Sequence, residues 1–298
     1  TAELDLEQSG WSPSFMARID GTNVNDVLDG SVEPDQIYGL DGDDEIDGGD
    51  GGERIFAGSG NDVVTTGSGN DLVHGNSGDD TIDAGDGNNR VVAGNGDDTV
   101  TTGSGRDRVF GGSGNDVIDA GDGNDVVNGN GGDDAISGGD GNDNLSGAAG
   151  DDLIRGGNGN DRINGNSGND ILLGNAGSDR LSGSSGRDLL FGGSGRDNLF
   201  GGSGEDVLHA SETLLTDAEL GLIRDEWTSA RSNSVRVANI TDGSGSADRV
   251  NGSAFISAAT SQTDNDRDRL FGQSSLDAFF ASLNDRTFRR RNESLFEI

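Results

Sequence analysis

The sequence predicts an all-β solenoid, a chain coiled into stacked turns with one short strand per repeat. Three observations predict it. A nine-residue period runs without insertion through most of the 298 residues, glycine is abundant (54, against 2 prolines), and one aliphatic residue recurs at the same place in every period. With 30% hydrophobic and 5% aromatic residues, the chain has too little apolar area to build an ordinary core against its backbone entropy. Disorder is the default reading of such a composition, but disorder does not keep a register.

The period is read most easily from its acidic position. It steps from Asp26 through Asp35, Asp44, Glu53, Asp62, Asp71, Asp80 and Asn89, and on in nines to Asp206, giving 21 copies. Two residues after it stands an aliphatic side chain in every copy, from Leu28 to Leu208; two residues before it stands glycine, except at Val24 and Glu33. In the copy Gly111–Asp119, the glycines permit a tight positive-φ loop, and the stretch around Ile118 is extended with one side chain facing inward. A single inward aliphatic per copy forms no core by itself. Stacked copies bury a continuous row of them.

These residues resemble the RTX family, the glycine- and aspartate-rich nonapeptide repeats of secreted bacterial proteins, whose G-G-x-G-x-D-x-U-x pattern is associated with calcium. The resemblance covers residues 21–209. It implies a right-handed parallel β-roll in which two copies complete one turn, with calcium held between loops of successive turns on each side. Strands about 4.8 Å apart would give a rod roughly 50 Å long. The resemblance further implies export of an unfolded chain by type I secretion through an uncleaved C-terminal signal, with which Glu293–Ile298 is compatible.

Charge supports the metal reading independently. Of the net charge of -35, the repeats carry -28, and the 20 cationic residues are all arginine. Rows of carboxylates one turn apart repel unless a divalent cation lies between them, and oxygen-only ligands select a hard ion such as calcium. If each ion bridges a loop to the loop one turn later, slots involving Glu53, Asn89 or the glycine-poor first copies are weak, and fourteen strong slots remain. Nine lie on one side, in the series Asp44, Asp62, Asp80, Asp98, Asp116, Asp134, Asp152, Asp170, Asp188 and Asp206. Five lie on the other, in the series Asp107, Asp125, Asp143, Asp161, Asp179 and Asp197. The expected cofactor is therefore calcium, about fourteen ions. A halophilic origin for the acidity would spread it over the whole chain, whereas residues 210–298 are near neutral.

Three segments are expected: an N-terminal cap or arm (1–20), the calcium-binding roll (21–209) and a C-terminal capping domain with the secretion signal (210–298). Thr216-Asp217-Ala218-Glu219 is a capping box, followed by Leu220, Ile223 and Trp227 at helical spacing, which predicts a helix over 216–232. Outward positions turn apolar late in one face (Leu153, Ile171, Leu173, Leu189, Phe191, Val207), and that helix is their nearest cover. Phe271, Phe279, Phe280 and Phe288 are expected to form a small core. Calcium binding is not expected at Asp268 or Asp277, where the glycine pattern is poor, and Arg289–Arg291 is read as a solvated run. On the opposite face Tyr38, Phe56, His74, Val92 and Phe110 form an outward stripe, to which the arm or C-terminal domain of a neighbouring molecule would dock head to tail, making a filament.

Several function classes are excluded or disfavoured. The absence of Cys removes disulfide scaffolds and thiolate zinc sites, no apolar run could span a bilayer as a helix, and the acidity disfavours nucleic acid. The only histidines are His74 and His209, and no H-E-x-x-H, G-x-S-x-G or phosphate-binding Gly-Lys motif occurs. The sequence therefore reads as a non-enzymatic, extracellular or cell-surface structural protein folded by calcium, with the secretion module of a larger toxin or hydrolase as the alternative. An ice- or ligand-binding solenoid is disfavoured, because outward threonines such as Thr65, Thr99 and Thr101 are too few for a flat array.

Overall fold

The computed structural model describes residues 16–210, residues 216–229 and four short strands, Arg269–Phe271, Ala278–Ala281, Arg286–Phe288 and Ser294–Glu297. Two parallel sheets form the walls of one coil. The first, of 13 strands, begins at Ala17–Asp20; the second, of 15 strands, begins at Val27–Asp29 and includes two loop strands, Ser104–Gly105 and Asp122–Gly123. Consecutive strands of the chain alternate between the walls over the repeats, and each residue pairs with its equivalent two copies later, as Ile37 with Ile55 and Ile55 with Val73. The chain is thus a parallel β-solenoid consistent with a β-roll.

The repeat fixes this geometry through its two kinds of small contact. Aliphatic residues two places after each acidic position, from Leu28 to Leu208, join Leu270 in one continuous interior cluster. Each such burial contributes roughly 1.5–3 kcal/mol. The glycine two places before the acidic position turns the loop: Gly60, Gly78 and Gly96 have φ of 126°, 124° and 127°, and a Cβ on any of them would collide with the glycine carbonyl one turn earlier.

Past the repeats the chain forms helix α1, Asp217–Thr228. Its N-terminus is the expected capping box: Glu219 accepts from the Thr216 amide at 2.9 Å, and the Thr216 hydroxyl accepts from the Glu219 amide at 3.4 Å. Leu220, Ile223 and Trp227 are buried against Ile171, Leu173, Leu189, Phe191 and Val207, with Leu153 at the edge, so α1 covers the late apolar face that the sequence assigned to it. Arginines clamp it in place. Arg155 pairs with Asp217, Arg224 donates to the Asp151 carbonyl at 3.2 Å, and Arg187 donates to the Thr228 carbonyl at 2.8 Å. The last expected helical residues, 230–232, lie outside the described residues, as do Trp11, Phe15 and Arg289–Arg291.

After the helix the coil resumes. Arg269–Phe271 pairs in parallel with the strand containing Asn198, and the three later strands continue both sheets. Of the phenylalanines expected to form a small core, Phe271 has Phe288 as its register partner, and the side chains of Phe279, Phe280 and Phe288 lie outside the described residues. Leu270 takes the inward place, and Phe271 stacks on Phe200 on the outer face, ring centroids 4.6 Å apart. Because α1 rests on strands that calcium is expected to hold together, its amides should resist hydrogen exchange in calcium and exchange freely in chelator. Equal protection in both conditions would show that the helix docks without an ordered roll.

Candidate metal centre

The acidic residue of each copy ends up inside the loop wall. All sixteen candidate ligands, from Asp44 to Asp206, are buried, none more than 3% exposed. Their first carboxylate oxygens form two continuous ladders. On the second-sheet side Asp62 Oδ1 accepts the Asp44 amide at 2.8 Å, and the same bond repeats in each turn to Asp206, which accepts the Asp188 amide at 3.0 Å. On the first-sheet side the strong series runs from the Asp107 amide on Asp125 at 2.7 Å to the Asp179 amide on Asp197 at 2.8 Å. The same bond also joins four of the discounted slots, Asp26 to Asp44, Glu53 to Asp71, Asp71 to Asn89 and Asn89 to Asp107, so the ladder runs through strong and weak slots alike.

The second oxygen carries the chemistry. In Asp44, Asp62, Asp80, Asp98, Asp107, Asp116, Asp125, Asp134, Asp143, Asp152, Asp161, Asp170, Asp179 and Asp188, Oδ2 is buried and makes no hydrogen bond. A buried, unpaired carboxylate oxygen is costly. In many copies it is aimed at the first glycine of its own loop, where a missing side chain leaves space shared with a carbonyl of the next turn. Beside Gly174, the point where a Cβ would stand lies against both the Gly192 carbonyl oxygen and Asp179 Oδ2. A cradle of carboxylate and carbonyl oxygen without a donor fits a hard cation, whose oxygen ligands lie about 2.3–2.6 Å away in calcium sites. Among the described residues, no three His, Asp or Glu side chains converge on one point. Backbone carbonyls must then complete any such site.

Electrostatics agrees. Burial, ahead of repulsion from neighbouring carboxylates, pushes Asp80, Asp134 and Asp152 up to about 7. Asp188, beneath α1, is pushed to about 9 by burial and then by Asp206. Carboxylates held this far above their ordinary range are destabilised as anions, and a divalent cation relieves that directly.

Asn89 shows what fills the place when the acid is absent. Its side-chain amide donates to the carbonyls of Ala84 and Gly85, each at 2.9 Å, supplying from the protein the positive end that an aspartate lacks. Two threonines near it act similarly. Thr66 donates to the Ala84 carbonyl at 2.8 Å, and Thr102 to the Ala120 carbonyl at 2.7 Å. The sequence reading discounted the Asn89 slots for the lost charge and did not foresee the amide or the hydroxyls. Their signal was the replacement of the loop's first glycine by threonine at these two copies alone. A second, outer ladder was also missed: Asp43, Asp79, Asp97 and Asp133 accept amides one turn later through Oδ1, in a column that is always Asn or Asp from Asn25 to Asn169.

Comparison with known families decides the identity. The RTX calcium-binding nonapeptide repeat, in its four-copy form, matches nine overlapping segments that together run from residue 20 to 208. The chain belongs to the RTX calcium-binding repeat family. No curated protein matches it. In an RTX roll, calcium supplies the positive charge between turns, and the residues that would hold it here are the ladder aspartates with loop carbonyls.

Two outcomes follow for this RTX roll. The folded carboxylates titrate above their unfolded value, so the metal-free roll is most stable below about pH 4 and loses that stability as pH rises through about 6 at Asp62, Asp116 and Asp161 and about 7 at Asp80, Asp134 and Asp152. Chelated protein should gain β circular dichroism on acidification to about pH 4; greater β content at pH 8 than at pH 4 would contradict the burial of these groups. Asn89→Asp should raise bound calcium by about one or two ions per chain, and Asp116→Asn should lower it similarly, as counted by equilibrium dialysis. An unchanged count in both would show that the ladder is not the binding site.

Proposed function

We propose that this RTX protein is an extracellular or cell-surface structural rod that is unfolded where it is made and folds on meeting calcium outside the cell. The observation that carries the proposal is the column of buried aspartate Oδ2 atoms without a hydrogen-bond partner, repeated turn after turn. Sites of the extracellular kind bind calcium at roughly 0.1–1 mM, so they would stay empty in a cytosol and fill outside. Folding and binding are then one event, since the ion binds only the stacked state. That arrangement suits secretion of an unfolded chain, the route associated with this family.

The same reading favours a non-catalytic role. His74 lies in a stack with Phe56, and His209 is buried against Phe191, so both histidines serve packing. Among the described residues no helix is long and apolar enough to cross a membrane. The ring stripe of Tyr38, Phe56 and His74, with centroids 5.2 and 5.1 Å apart, runs half-buried along one face of the rod, which supports assembly of rods into filaments or a surface layer.

Chelation should convert the far-ultraviolet circular dichroism spectrum from β to coil, and calcium should restore it with a midpoint near 1 mM. A β spectrum at neutral pH that persists in excess chelator would overturn the proposal.

A further inference from the structure

Calcium accounts for the acids of this chain but not for where its arginines stand. In the first sheet, the register column one residue after the ladder position runs from Arg18 to Arg286. It holds eight of the 20 arginines and no acidic residue. The equivalent column of the second sheet holds none. Arg54, Arg90, Arg108, Arg162 and Arg180 are exposed and form no ion pair among the described residues. Several are laid over rings of the adjacent outward column: Arg90 stands 5.3 Å from the Phe110 centroid, and Arg180 stands 4.1 Å from that of Phe200. An arginine and aromatic face of this kind has the composition of an interface core.

The outer face of the second sheet is its chemical complement. Among the described residues, α1 covers this face from Leu153 to Val207, and its N-terminal strands carry no cover. There the column three residues after the ladder position carries exposed Asp29, Asp47, Asp83 and Asp119, and the column beside it carries exposed Val27, Val63 and Val117. The first face pairs a cationic column with an aromatic one. The second pairs an anionic column with one that includes these valines.

Topology determines how these columns meet. The sheets are opposite walls of one coil, so their strands cross the rod in opposite directions. A second copy displaced sideways, with its axis parallel, therefore places the arginine column of one rod against the aspartate column of the next, and the ring column against the valine column. Arg54 and Arg90 lie two turns apart, as do Asp47 and Asp83. One lateral register consequently aligns both pairs, about 9.6 Å apart along the axis.

We propose that the outer face of the first sheet docks on the acidic N-terminal half of the second sheet of a neighbouring copy, so that calcium-folded rods associate side by side. The contact joins two different surfaces and leaves each rod one free face of either kind, so it repeats without closing and gives an open layer of parallel rods. This rests on the calcium-folded reading and assigns its assembly to a lateral contact.

The test uses the full chain in about 5 mM calcium, with mass measured by light scattering and folding by circular dichroism. Wild type should exceed the monomer mass by at least about twofold and continue to grow with concentration. The variants Arg54→Glu with Arg90→Glu, and Asp47→Arg with Asp83→Arg, should each keep the β spectrum and stay monomeric. Their equimolar mixture should associate again, because each variant supplies the face that the other now needs. Monomeric wild type, association unaffected by either pair of changes, or a mixture that stays monomeric would each overturn the docking. So would loss of association in the arginine variant alone, which would instead favour a polyanion carried with the protein. A wild-type β spectrum that survives chelation would defeat the calcium reading and leave the docking result to be judged separately.

Discussion

The structure depends on one electrostatic constraint: carboxylates stacked one turn apart, each with one oxygen tied to a backbone amide and the other buried without a donor. The amide bond fixes the spacing at which the turns stack and thereby places the acids near one another. In a low-dielectric wall each buried anion is penalised and its neighbours repel it, and Asp188 is pushed up to about 9 by burial first and by Asp206 second. The interior aliphatic row cannot remove this repulsion, since it supplies no positive charge. A cation in the wall removes it and ties successive turns together in the same step. On the proposed reading, folding, stiffness and calcium dependence have a single cause.

Glycine makes that wall possible. At the loop position before the acid the backbone takes φ near +125°, and the loops approach so closely that any Cβ would strike the carbonyl below. At the first loop position, glycine instead leaves open the space that the second carboxylate oxygen faces. These two uses explain why so glycine-rich a chain is ordered. Its backbone freedom is spent at fixed points of a repeating lattice.

Much of this was legible because the repeat states each constraint many times. The all-β coil, the inward row from Leu28 to Leu208, the ladder aspartates and the cover of Leu189 and Phe191 by Trp227 all follow from period and alternation. What stayed hidden depended on a second coordinate, the turn-to-turn neighbour. The Asn89 amide reaching Ala84 and Gly85, the Thr102 hydroxyl reaching Ala120 and the outer Asp79 ladder are contacts whose geometry a period alone does not give. The resumption of the coil at Arg269–Phe271, after a long departure, carries no glycine signature, and strand pairing with Asn198–Ser203 shows that Leu270 turns inward.

The arginine column and its acidic counterpart are also products of register, since a residue's face depends on which wall its copy occupies. The most direct measurement of the central claim is a calcium titration in which bound ions and the radius of gyration, from small-angle X-ray scattering, are followed on the same sample. Bound calcium should rise to about fourteen ions per chain while the chain contracts from an expanded coil to a rod roughly 50 Å long, the two curves superimposing. A chain already compact before any calcium binds, or one that contracts with only one or two ions bound, would contradict the account.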